Sequence, residues 1–344
     1  MDEAERVRDL LERVTVPEPP VGPMVQNAIR AGVRRRRRRA VGIVAAAVVL
    51  VAVAASAVTF GGSRSASAPA HASLPLVSAP NLGVSEAGSL PSYQPVQNFV
   101  DAAGVEPGLV EYDSTWGQPF AASYARTIRD HGATVIVQMD PANASIAGIP
   151  AGRYDGYLSA YAEAVRAYRH PVIMSFGHEM NGSWYSWGYG HTSPAAFVAA
   201  WRHIVRLFRA LGVRNVTWMW TVSVMNDTQQ GTAASPKSWW PGSSYVNWVG
   251  IDGYYLKPSW KFAPLFGPTI AAVRALTAGP ILIASTGVVP AAGQPAKIAD
   301  LFAGIRAYGL RGFVYLDTNS AGASFAITSP AALAAFRKGA QTSG

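Results

Sequence analysis

From about residue 80 onward, apolar positions alternate between two rhythms. Short runs rich in β-branched and aromatic residues recur at regular intervals: NLGVS (81–85), GLVEY (108–112), TVIVQM (134–139), PVIMSF (171–176), NVTWMWT (215–221), WVGIDGY (248–254), PILIAS (280–285) and GFVYLD (312–317). Such runs, bounded by Gly, Pro, Asn and Asp, read as strands. Stretches with helical spacing lie between most of them, at 119–131, 153–169, 194–211, 266–277, 296–308 and 330–339. After the fifth run the chain is loop-like instead, "SVMNDTQQGTAASPKSWWPGSS". Eight strand-type runs alternating with helices over about 265 residues predict a (β/α)8 TIM barrel, an α/β fold. A doubly wound open sheet is the alternative.

The first 80 residues have a different pattern. Ala40 to Phe60, "AVGIVAAAVVLVAVAASAVTF", is an uncharged run of 21 residues. At about 1.5 Å per residue it spans a bilayer core of about 30 Å. Six arginines, Arg34 to Arg39, precede it directly. Loops rich in Lys and Arg stay on the cytoplasmic side, so the N-terminus is expected inside and everything after Phe60 outside. A cleaved signal peptide is the rival reading, with small-residue cleavage sites at 66–72. The apolar run exceeds the usual 7–15-residue signal core, which favours an uncleaved signal-anchor. The expected domains are a cytoplasmic tail (1–39), a transmembrane helix (40–60), a Ser/Ala/Pro linker (61–79) and a barrel (80–340). In the tail, Val7, Leu10, Leu11 and Val14 form one helical stripe.

Charge narrows the function classes. The net charge is +9, but ten arginines and six acids in residues 1–60 supply +4 of it, and the rest is spread thinly. The arginine block is therefore a topology signal, and no nucleic-acid partner is expected. The chain has no cysteine, which excludes disulfides and thiolate metal sites. There is no Walker loop, no GxGxxG after a strand, no HExxH and no histidine spacing that forms a ligand cluster, so no metal and no cofactor is implied.

In such a barrel, chemistry sits where strands end. Those ends hold Glu86, Asp113, Asp140, His178, Glu179, Trp220, Thr221, Tyr254, Tyr255, Ser285, Thr286 and Asp317. Trp116, Trp184, Tyr185, Trp187, Trp239 and Trp240 lie near them. A carboxyl walled by indoles has its charged form disfavoured and can serve as a general acid near neutral pH. Aromatic faces stack on the apolar faces of sugar rings, and six rings in loops favour a binding surface over core.

The stretch GHEMNGSWYSWG (177–188) resembles the fourth-strand motif of glycoside hydrolase family 26, whose members are mostly endo-β-1,4-mannanases. LGVRNVTWMWTVS and WWPGSSYVNWVGIDGYY are similar to that family's fifth and sixth strands. The resemblance covers roughly residues 80–340 in consistent order. It implies that Glu179 is the acid/base and that His178 helps hold the carboxylates and the sugar. It also implies that Trp184 and Trp187 stack on substrate and that Tyr254 lies near the nucleophile. Trp220 and Trp116 join these as substrate-binding candidates. The implied partner is a β-linked polysaccharide or oligosaccharide, the membrane is reached through the single helix, and a monomer is expected.

The chain departs from that family at strand seven. The family's nucleophile is a glutamate in a context like PILIAETG, and this chain reads PILIASTG, with Ser285 at that position. Retaining glycosidases need two carboxyl groups about 5–5.5 Å apart. No glutamate follows Glu179; the later acids are Asp227, Asp252, Asp300 and Asp317. Asp317, ending strand eight, is the best stand-in. By the resemblance, Asp252 has a structural hydrogen-bonding role. Three readings follow: a β-mannan-type hydrolase with weak or lost activity, a non-catalytic glycan-binding pseudoenzyme, or the outer sensor domain of a signalling protein.

Overall fold

The computed structural model describes residues 81–85, 92–225, 231–320 and 323–342. The tail, the apolar run Ala40 to Phe60, the linker, Glu86 and Asp227 lie outside them. Among the described residues no helix is long and apolar enough to cross a membrane.

Eight parallel strands close into a barrel in sequence order. They are β1 (Asn81–Ser85), β2 (Leu109–Thr115), β3 (Thr134–Asp140), β4 (Val172–Phe176), β5 (Val216–Ser223), β6 (Trp248–Asp252), β7 (Ile281–Thr286) and β8 (Gly312–Leu316). β1 pairs with both β2 and β8, which completes the ring. This is the (β/α)8 arrangement expected from the eight runs, and the open sheet is excluded. The helices outside it are α1 (Gln94–Ala103), α2 (Ala122–Asp130), α3 (Asp155–Tyr168), α4 (Pro194–Ala210), α5 (Phe262–Arg274), α6 (Gln294–Ala307) and α7 (Pro330–Gln341). A short 3₁₀ turn, Pro236–Trp239, follows β5 in place of a full helix. A two-residue hairpin, β9 (Asn319–Ser320) with β10 (Ala323–Ser324), follows β8.

Two apolar clusters divide the strand residues. Leu109, Ile136, Ile173, Met219, Trp248, Leu282, Ala284 and Val314 form a small cluster of their own. Their strand neighbours Val110, Val135, Val172, Trp218, Val249, Ile281 and Phe313 belong to the large one, with the inner faces of the helices. Successive strand side chains point to opposite faces, so the small cluster fills the inside of the barrel and the large one the layer beneath the helices.

That parity positions the polar residues. Two residues beyond the small cluster, on the same inward face, stand Glu111, Gln138, Ser175 and Thr221; two further stand Asp113, Asp140, Ser223 and Asp252. The polar groups thus rise toward the C-terminal mouth, above an apolar plug. Ser175 and Thr221 hydroxyls meet at 3.0 Å, and the Gln138 amide donates to Glu111 at 3.2 Å.

Glu111 is 5% exposed. Burial, with Asp113 adding to it, raises its pKa to about 8. The folded state therefore holds a proton that the unfolded chain releases near pH 4.5. Between those limits stability falls as pH rises, by about 1.4 kcal/mol per unit. Glu111→Gln removes its share of this slope, and urea unfolding from pH 5 to 8 shows it as a variant whose midpoint declines less steeply than that of the wild type.

Candidate active site

The site is built from the turn that ends β4. Gly177 has φ +56°, and a Cβ there would lie 2.9 Å from the Phe197 ring and 3.1 Å from Trp187, so only glycine fits. Two residues on, Glu179 has φ +53°, a left-handed conformation that among the described non-glycine residues it shares with Arg169 alone. Such strain persists where surrounding structure holds it, and it concentrates at functional positions. Here the hold is explicit. The Glu179 N–H donates to Thr221 O on β5 at 2.9 Å. The Asn181 side chain donates to Ser223 O at 3.0 Å and accepts from Ser223 N–H at 2.9 Å. Asn181 is fully buried, and Asn181→Ala leaves two backbone groups unpaired. A loss of about 1–3 kcal/mol in urea unfolding is expected.

Glu179 is 6% exposed, and its Oε2 accepts from Trp184 Nε1–H at 2.7 Å. Burial raises its pKa, with Asp140's charge adding a smaller push; His178, Trp184 and Ser223 oppose this without cancelling it. His178 lies between Asp140 Oδ1, 2.9 Å from Nδ1, and the Tyr185 hydroxyl, 2.6 Å from Nε2. Burial works against a charge on this ring. Asp140's charge and hydrogen bond, with Glu179 and Asp252 behind them, outweigh that and raise the His178 pKa well above the usual value. His178 is therefore an imidazolium at neutral pH, held among carboxyl groups.

The other wall comes from β6 and β7. The register between them shifts after Ile251, so that Asp252 pairs with Ser285. Tyr254, on the inward parity of Asp252, meets Ser285 Oγ at 2.8 Å through its hydroxyl. Asp252 is 2% exposed and its Oδ1 has no hydrogen-bond partner. Burial first, then the charge of Glu179, raises its pKa well above the usual carboxylate range.

The aromatic candidates separate. Trp116 and Trp184 are half-buried. Trp116 packs on Tyr154, Tyr157 and Phe176. Trp187 is buried, stacks on Tyr185 and donates from Nε1 to His178 O at 2.9 Å, so it fixes the loop from behind. Trp220 offers no face to a ligand. It is on the outward parity of β5, fully buried, and packs on Trp240 in the layer under the helices. Trp239 is likewise fully buried, its Nε1 donating to Ala233 O. The expectation of six open rings is thereby reduced, because loops after β4 and β5 fold back onto the barrel. Asp317, expected as a stand-in carboxylate, accepts from Ile327 N–H through Oδ1 at 2.8 Å, which ties it to the segment after the hairpin. Glu111 was not singled out from sequence; its signal was an acid inside the apolar run GLVEY, two residues from inward-facing Leu109. Among the described residues no three His, Asp or Glu side chains group as a metal site.

The arrangement is a buried carboxyl with a raised pKa, a histidine beside it and a Tyr–Ser pair from β6 and β7, with the half-buried Trp184 indole donating to the carboxyl. The glycosyl hydrolase family 26 model matches residues 108–279, half of the chain. The chain belongs to glycosyl hydrolase family 26. It is 29% identical over 233 residues to Endoglucanase H of Acetivibrio thermocellus, covering 64% of this chain and 25% of that protein. It is 31% identical over 88 residues to Mannan endo-1,4-beta-mannosidase A and B of Caldalkalibacillus mannanilyticus, covering 24% of this chain and 16% of that protein. It spans about a quarter of Endoglucanase H and less of the mannosidase. The fold matches the catalytic domain of the Bacillus sp. JAMB-750 GH26 endo-beta-1,4-mannanase with a TM-score of 0.61 at 17% identity, covering 76% of this chain and 86% of that one. The family 26 match includes Glu179, Asp252 at the end of β6 and Tyr254 just beyond it, and it ends before Ser285.

Proposed function

We propose that this family 26 chain is a membrane-anchored, extracytoplasmic barrel that recognises β-1,4-mannan-type polysaccharide. Glu179 is its proton donor, and its turnover lies far below that of a site with two glutamates. The observation that carries this reading is the Tyr254–Ser285 pair, at 2.8 Å. It supports a neutral alcohol near the end of β7, where a two-carboxylate site would need its second acid. A serine hydroxyl is a weak nucleophile without a base, and the donor alone contributes only part of the rate. Two mannan-directed relatives, a mannosidase and a structural neighbour, support the choice of glycan. The uncharged run Ala40 to Phe60 behind six arginines supports the anchor and its orientation.

The test is the purified full chain in detergent, titrated with β-1,4-mannan, mixed-linkage glucan and xylan, with binding and reducing-sugar release followed together. Mannan binding with slow release is expected. Rapid release that Glu179→Ala leaves unchanged rejects the assignment. A purely glycan-binding role is the second reading, favoured by the same neutral hydroxyl, and mannan binding without any release establishes it.

A further inference from the structure

We propose that Asp252 is the second catalytic carboxyl group of this site, activating a water that attacks the sugar directly, so that hydrolysis proceeds with inversion of the anomeric centre. The inference rests on the functional reading above and specifies its chemistry.

Four observations lead to it. First, Asp252 ends β6 on the inward parity that also holds Asp113, Asp140 and Ser223, so its side chain belongs to the mouth. Second, its register partner on β7 is Ser285, whose hydroxyl binds Tyr254. The carboxyl, the alcohol and the phenol therefore make one wall. Third, its Oδ1 is buried with no partner, a costly state for an oxygen that no ligand uses. Fourth, the other acids of the mouth are otherwise placed. Asp140 is held by His178 and Asp317 by Ile327 N–H. Glu111 lies deeper and is protonated at neutral pH. Asp113 has a pKa raised to about 6 by burial of its carboxyl and then by the charge of Asp140, against His178, whereas Glu179 exerts the strongest charge acting on Asp252.

Two carboxyl groups that feel each other's charge share one proton. In the reactive form the proton is on Glu179 and Asp252 is the anion. The water oxygen bonds to the anomeric carbon as the bond from that carbon to the departing sugar breaks. Glu179 gives its proton to the departing oxygen, and Asp252 takes one from the water. Exchange with solvent then restores both groups. A β-linked substrate yields an α-configured hemiacetal in one displacement. The strong basicity of Asp252 makes it a good proton acceptor. The same basicity keeps the reactive form a minor population, which agrees with slow turnover.

The test follows β-1,4-mannan hydrolysis by the full chain with ¹H NMR during the first minutes, before mutarotation scrambles the anomers. An α-anomer as first product is expected. Asp252→Asn is expected to lower kcat by about 10²–10⁴-fold, with glycan binding within about twofold of wild type. A β-anomer as first product overturns the proposal, and so does an unchanged rate in Asp252→Asn; the anomer result needs no variant to fold. Absence of hydrolysis with mannan binding intact overturns the Asp252 step and leaves glycan recognition standing. Loss of binding to all three glycans overturns the functional reading itself.

Discussion

Ser285→Glu is expected to speed sugar release from β-1,4-mannan by about a hundredfold or more. The substitution places a carboxylate on β7, beside the Tyr254 hydroxyl that now meets Ser285 Oγ at 2.8 Å. In the native chain the nearest acid on that wall is Asp252, reaching in from the neighbouring strand. Misplacement of a reacting group by about 1 Å costs about a hundredfold, so a group on the right strand gains at least that. The outcome also changes in kind. A carboxylate close enough to attack forms a covalent glycosyl intermediate, and two inversions give retention. The first-formed anomer in Ser285→Glu is therefore β. Reducing-sugar release and early NMR spectra check both points. A variant that folds and binds mannan but gains no rate shows that Ser285 does not occupy a nucleophile's place.

Glu179→Gln is expected to abolish most of whatever hydrolysis the chain performs, by about 10²–10⁴-fold, while leaving mannan binding nearly intact. The amide has the same shape, accepts the Trp184 N–H through its oxygen, and leaves the left-handed backbone at this position as strained as before. What it loses is the proton. On an aryl glycoside with an acidic phenol as leaving group the loss shrinks sharply, because that group departs without protonation. The pH profile supplies a separate check. Donation requires protonated Glu179, whose pKa is raised by burial. Activity therefore falls as pH rises through that raised value, and the falling limb sits above the ordinary glutamate range. In Glu179→Gln the limb disappears. An equal loss on both substrates, or an unchanged limb, sinks the assignment of Glu179 as donor.

Much of the fold was legible in the chain because its signals are local. Each of the eight strand runs matches a barrel strand within a few residues, and the absence of a full helix after β5 was visible in its loop-like composition. The helix α1 was not identified, although Val96, Phe99, Val100 and Ala103 keep helical spacing behind Pro95. The GHEMNGSWYSWG motif was equally legible, but not its backbone, in which Gly177 and Glu179 both adopt positive φ.

Where the sequence expectation and the structure part, strand phase is one cause. A strand's alternation shows two faces, but nothing local says which face turns inward. Trp220, at the end of an apolar run, looked like a mouth residue and points the other way. Asp317 looked like a spare carboxylate and is held by Ile327.

By itself the sequence determined the order and period of the elements, the place of Glu179 after the fourth strand, and the serine on β7. These depend on propensity and spacing over a few residues. Only the tertiary structure decided which groups meet: His178 with Asp140, 38 residues away, and Tyr254 with Ser285, 31 residues away. Closing the ring sets the phase of every strand at once, and burial inside it then sets the charges. Proton affinities in the mouth are properties of that enclosure, since desolvation and facing charges act through space and not along the chain.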